Sequence, residues 1–244
     1  MTAEAVAVGY QAGRTSQEAY SVAIGTSAGI TSQRSNCVAI GLNSGATSQQ
    51  TESIAIGKET GINMQHAYSV AIGVRAGADN QNTYSSAIGY EAGRIGQGSY
   101  SVAHGYLAGN TGQGDQSVSV GSSTGLTNQG DFCVAIGRES GMTSQGTRSV
   151  SMGYRAAETN QNTDSVAIGY LAGQSGQSQS GVAVGTNAGA TTQGSSSVAV
   201  GTTAGNNNQG SACVAIGGRA GETTQNTHSV AIGYSSGELG QGQW

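Results

Sequence analysis

From Ala5 to Trp244 the chain repeats one sixteen-residue unit, S-V-A-I-G-x-x-A-G-x-T-x-Q-x-x-x, fifteen times without an insertion or deletion. A strict short period of this kind builds a stack of equivalent coils, each touching only its neighbours. The expectation is one elongated solenoid domain over residues 5–244, preceded by a short N-terminal lead-in at residues 1–4. Chains so built bind, hold or space other things far more often than they catalyse.

Composition removes the competing classes. Collagen needs glycine at every third position and abundant proline, whereas this chain has 42 glycines in a sixteen-residue period and no proline. Only 9% of residues are charged and the net charge is −4, which leaves no electrostatic footprint for nucleic acid. Disordered low-complexity tracts drift in register, but here the apolar residues hold fixed columns. No apolar run approaches the roughly 18 residues needed to span a bilayer, so membrane insertion by this chain is not expected.

The columns specify the fold. Two glycines, β-branched residues and Thr/Ser/Asn runs in each unit leave no 3.6-residue apolar stripe, which rules out helix. S-V-A-I-G reads as a short strand with Val and Ile on one face and Ala on the other. The glycine that follows, Gly9 through Gly233, is present in every unit and marks a corner with φ > 0 or a contact too close for a Cβ. A second glycine column, Gly13 to Gly237, fails once, at Ala157, so its steric demand reads as looser. Strand, corner, second extended stretch and corner make one coil of an all-β, parallel β-solenoid of fifteen coils. At about 4.8 Å per coil the stack is expected to run to roughly 70 Å.

Column three is Ala in thirteen units and Ser in two, Ser119 and Ser151, and the column beginning Ala12, Ala28, Ser44 and Thr60 is similarly small. A face open to water would tolerate charge. With two sizeable apolar side chains per unit, the core is thin for a monomer when ordering costs roughly 1.5 kcal/mol per residue. The expectation is a homotrimer with the Ala and small-residue columns at or near the subunit contacts. Gln fills column thirteen of all fifteen units, Gln17 through Gln241, and reads as a structural ladder of stacked amides or a tie to the corner backbone. Cys37, Cys133 and Cys213 share the first column with Ser, and lie too many coils apart to pair within one chain. They read as small buried fillers.

Ser21-Val22-Ala23-Ile24-Gly25, Ser69 to Gly73, Ser165 to Gly169 and Ser229 to Gly233 carry the pentapeptide in full. In this the chain resembles the head repeats of trimeric autotransporter adhesins, the YadA-like heads, and similar repeats occur in phage and viral fibres. The resemblance implies a left-handed parallel β-roll trimer that adheres to a host or other surface. Family heads repeat about every fourteen residues. The present unit takes sixteen and adds the Gln column.

No catalytic pattern emerges: the histidines lie in different columns, and no HExxH, GxSxG, Walker or CxxC motif is present. No enzyme activity and no cofactor are expected. His104 interrupts an apolar column and is a weak ion-site candidate should three copies converge on an axis; otherwise it is a hydrogen-bonded residue of an apolar face. Every aromatic falls in two columns flanking the strand. Tyr68, Tyr84 and Tyr100 occupy successive rungs of the closing column, while Tyr90, Tyr106, Tyr154 and Tyr170 follow the constant glycine. These are the recognition candidates, for a surface glycan or protein ligand, with ring stacking between strands as the plainer role.

The functional expectation is therefore a structural or adhesive fibre segment at a cell or virion surface. An ice-binding solenoid is the alternative, carried by Thr15, Thr31, Thr47, Thr111, Thr127, Thr143, Thr159, Thr191 and Thr223. Asn63, Asp79, Ile95, Asn207 and Leu239 interrupt that column. Units one and fifteen match the consensus, and solenoids ordinarily cap their terminal coils. The chain is accordingly read as a piece of a longer fibre, with a self-polymerising extracellular filament as the alternative.

Overall fold

Each sixteen-residue unit folds into two three-residue strands joined by two tight corners. The computed structural model describes residues 4–241, and side chains as far as residue 240. Within that range there is no helix, and the strands alternate from Val6–Val8 and Thr15–Gln17 to Val230–Ile232 and Leu239–Gln241. The protein is a parallel β-solenoid of fifteen coils. Three of the four lead-in residues, and Trp244 at the other end, lie outside the described range.

The chain divides into two compact units, Met1–Ser123 and Thr124–Trp244. In the first, the strands from Val6–Val8 to Val118–Val120 pair in chain order into one parallel sheet, and those from Thr15–Gln17 to Thr111–Gln113 into another. The second repeats the arrangement from Val134–Ile136 to Val230–Ile232 and from Thr127–Gln129 to Leu239–Gln241. Register follows the period, so like faces like: Val22 pairs with Val38, Ala23 with Ala39 and Ile24 with Ile40. The corners bond between coils as well, as in Gly25 N–H to the Val8 carbonyl at 2.8 Å and Gly29 N–H to the Ser44 carbonyl at 2.9 Å. The backbone polar groups of a coil are thus satisfied by the coils above and below.

The two glycine columns have different causes. The first sits at φ near +130°, and a Cβ added to Gly89 would lie 2.2 Å from the Gly105 carbonyl oxygen of the next coil. No side chain fits there, which explains its constancy. The second adopts the left-handed helical region at φ near +52°, a conformation that an L-residue adopts at a cost of about 1–2 kcal/mol. Ala157 does so at φ 47°, and the looser reading of that column holds.

The coil interior is the face that the sequence reading assigned to subunit contacts. The column-three residues from Ala23 to Ala231 are fully buried within the single chain, together with Ala28, Ser21 and their equivalents. Val and Ile lie on the outside: Ile24, Ile88 and Ile168 are each 38% exposed. The expectation that Ala lines the subunit contacts is therefore corrected. The physical reason is width, because Gln side chains from the opposite strand enter the same space and leave room only for a methyl or hydroxyl.

Gln supplies the largest fully buried side chains of the protein. Gln33 Nε2 donates to the Val22 carbonyl at 2.9 Å and to Gln49 Oε1 at 3.1 Å. The longest runs of the first unit and the second are Gln65–Gln81–Gln97 and Gln161–Gln177–Gln193, at 3.1–3.2 Å per step. Both roles anticipated for this column are present, the amide ladder and the tie to the backbone. Cys37, Cys133 and Cys213 form no disulfide and are fully buried, as small fillers should be. Cys213 Sγ lies against the Asn226 carbonyl in the way that Ser197 Oγ donates to the Gly210 carbonyl, so the two residue types interchange in this column.

Candidate functional site

With the coil filled by Ala, Ser and Gln, everything that distinguishes one coil from another lies outside. Three outer features carry chemistry: an apolar stripe, stacked tyrosines and inter-coil ion pairs.

The stripe is made by columns two and four. Column two is Val or Ile in every unit except for Ser86, and column four is Val, Ile or Met except for His104. Flat and uncharged, it runs along the first-strand sheet of each unit. Its two polar departures lie together, since Ser86 Oγ and His104 Nε2 share a hydrogen bond of 2.9 Å. Ser86 stands opposite Val102 in the ladder and His104 opposite Ile88, so the bond runs diagonally between neighbouring strands. Burial holds the His104 imidazole below its ordinary pKa. Among the described residues, no three of His, Cys, Asp and Glu gather to hold a metal ion. The sequence reading singled out His104 but not its serine partner, whose signal was a lone polar residue in an apolar column.

The closing column places its side chains outward on left-handed backbone: Tyr68, Tyr84 and Tyr100 have φ of 60°, 58° and 56°. Their rings stack, with centroids 4.8 Å apart at 4° for Tyr68–Tyr84 and 5.0 Å apart at 15° for Tyr84–Tyr100. Stacking at the coil spacing uses the π-faces between rungs, so Tyr84 has both faces covered. The outer face of Tyr100 borders a shallow cavity of about 380 Å³ lined by Tyr100 and Gln116. In the other aromatic column Tyr90 stacks on Tyr106 at 5.3 Å and Tyr154 on Tyr170 at 5.4 Å, with the Arg138 guanidinium 5.5 Å from the Tyr154 ring. The seven tyrosines thus fall into three outer stacks rather than one site, all exposed except for the half-buried Tyr154.

Ion pairs link coils in two columns, the one that follows Tyr90 and Tyr106 and the closing one. Arg75 bridges Glu59 at 2.8 Å and Glu91 at 3.3 Å, and its hydrogen bond holds the Glu59 carboxyl below the usual carboxylate range. Arg148 grips Asp164 with two bonds of 2.6 and 3.0 Å. Sequence reasoning passed over these pairs, although opposite charges sixteen residues apart in one column were the signal.

The Thr column borders the second strand, but that side is not flat. The middle residue of each such strand has a positive φ, between 52° and 56° at Ser16, Ser32, Ser48 and Met64. Cα partners are accordingly formed by the first and third residues only, as in Thr31 with Thr47 and Gln33 with Gln49. The kink falls between Thr and Gln within each coil, so the second strand offers no flat face beside the Thr hydroxyls.

The comparison with protein families falls on one part of this repeat. Residues 67–92 match the profile of the YadA head domain repeat, in two copies. That segment resembles the YadA head repeat, and the units on either side repeat its sixteen-residue pattern. Tyr68, Tyr84 and Tyr90 lie within the matched segment, as do the strands Val70–Ile72 and Ser86–Ile88. No curated protein matches the chain significantly. Among the described residues no helix is long and apolar enough to cross a membrane.

Proposed function

We propose that this protein is a segment of an adhesive surface fibre in which three copies pack through their Val/Ile stripes and the outer columns meet the ligand. The observation that carries the reading is the stripe itself. The coil is already full, and yet a continuous apolar face remains uncovered along a chain whose repeats are of the YadA head type. YadA heads belong to trimeric, surface-exposed adhesins without enzymatic activity, which supports a homotrimer and an extracellular setting, on a cell or a virion. The same reading takes residues 5–244 as one solenoid domain. The ligand class is a surface glycan or protein, with the three tyrosine stacks as the recognition surface. The kinked Thr side does not favour ice binding, and nothing in the geometry favours a self-polymerising filament.

Two measurements test this. Multi-angle light scattering of the wild-type chain should give three copies, and Val166→Glu with Ile168→Glu should give one copy with its β-type circular dichroism intact. A wild-type monomer at micromolar concentration would overturn the packing. A glycan array probed with wild type and Tyr100→Ala addresses recognition: binding that survives the substitution unchanged removes that stack from the surface.

A further inference from the structure

A repeat this regular poses a problem for self-assembly. When every coil presents the same Val and Ile, two copies packed stripe to stripe can slide by one coil, about 4.8 Å, and recover nearly every contact. Apolar burial is non-directional and discriminates only weakly between such registers. Something other than the repeated unit has to select one of them.

We infer that the Ser86–His104 pair fixes the register in which copies of this chain pack, so that the stripe accepts a second copy of the same chain only coil for coil. The inference rests on the stripe being the packing face. Three observations lead to it. Ser86 and His104 are the polar departures of columns two and four, one residue in each column. They come from different coils and yet hydrogen-bond to one another at 2.9 Å, so the two departures form a single feature of the surface. The flanking residues in column four are Ile88 and Val120, and those in column two are Val70 and Val102, so the pair is an isolated polar spot in an apolar field.

In register, the spots of all copies lie at one level, where each imidazole keeps its serine and its remaining ring nitrogen meets polar groups or water. Slipped by one coil, the imidazole of one copy faces Ile88 or Val120 of the next, and that nitrogen loses its partners on burial. A buried polar group without a partner is disfavoured strongly enough to shift the ratio of registers by roughly tenfold or more. A single polar residue in an apolar seam is an established way of setting register between repetitive chains.

The test labels one set of chains with a nitroxide at Thr47→Cys and another at Ile95→Cys, mixes them and measures inter-chain distances by double electron–electron resonance. The native cysteines are fully buried and stay unlabelled. Wild-type background should give one distance for each kind of label pair, 47–47, 47–95 and 95–95. Ser86→Val with His104→Ile restores the column consensus, so the coils still form, and should add populations from registers displaced by multiples of about 4.8 Å. A chain in which the pair is moved one coil, by those changes plus Val102→Ser and Val120→His, should assemble with wild-type chains displaced by one coil. If the restored and transplanted chains both give the wild-type distances in a stable trimer, the pair does not set register and the inference fails alone. If the wild-type chain is monomeric, the packing reading fails and takes the inference with it.

Discussion

Replacing Gln81 with methionine removes one rung from the middle of an amide ladder while keeping the volume of the side chain. Gln81 is fully buried. Its Nε2 donates to the Val70 carbonyl at 2.8 Å, to Gln97 Oε1 at 3.2 Å and to the Ser85 carbonyl at 3.4 Å, and its Oε1 accepts from Gln65 Nε2 at 3.1 Å. Four buried hydrogen bonds are lost at about 1 kcal/mol each, and Gln97 Oε1 is left without its donor at a further cost of about 1–3 kcal/mol. The thioether returns about 1 kcal/mol through its apolar transfer. The net expectation is a loss of about 4–6 kcal/mol. Gln113→Met is the internal control, because Gln113 Oε1 already has no hydrogen-bond partner and its Nε2 donates to the Val102 and Ser117 carbonyls only. There the same substitution should cost only about 1 kcal/mol. Stacked coils open in segments, so the comparison is read from native-state hydrogen exchange of the amides in the coils flanking each site. Equal costs at the two positions, or a cost below about 1 kcal/mol at Gln81, would refute the view that the ladder stabilises the stack.

Other substitutions separate steric from conformational demands. Gly105→Ala places a Cβ 2.1 Å from the Gly121 carbonyl oxygen at φ 138° and should cost more than about 3 kcal/mol in urea unfolding. Gly96→Ala, at φ 66° with open space around it, should cost only about 1–2 kcal/mol. Ala103→Glu or Ala167→Glu puts a carboxylate inside the coil and should abolish the β-type circular dichroism of the neighbouring coils, rather than merely dissociate subunits. For His104 the folded pKa lies below 6.5, so the unfolded chain binds more protons as pH falls through that value, and stability should decline from about pH 6.5 downward. The facing positions on the two flanking strands are Ile88, Ser86, Val118 and Val120, none of them charged, and His104→Ile should flatten this part of the thermal-denaturation pH profile.

The coil, its two strands, the first glycine corner and the buried Gln and Cys were all legible, because a period without gaps aligns each residue with its neighbour in the stack. Sidedness was not. A strand that alternates Val, Ala and Ile offers two faces, and only the width of the coil decides which is inside. That width is set by Gln reaching across from the opposite strand. The clue lay in tolerance: column three admits only Ala and Ser, whereas the stripe accepts His104 and Ser86, as an outer face does. Most of the left-handed corners were equally hidden. Column sixteen accommodates Tyr68, Arg148 and Asp164 at φ near 60°, with no residue preference to betray it. Column twelve did carry a signal, a restriction to Ser, Asn, Gly and Thr broken only by Met64. The tyrosine columns were readable as exposed, but not that stacking would occupy their faces.

Identical register from coil to coil has a consequence for how such a chain can change over generations. A newly duplicated unit inserted at any coil boundary meets the same alanine, serine and glutamine above and below, so its neighbours need no adjustment. Losing one residue, by contrast, throws every later column out of line. The number of coils is therefore free to drift in whole steps. The outer positions, meanwhile, can diverge singly, and each coil then becomes a distinct address on an unchanging scaffold.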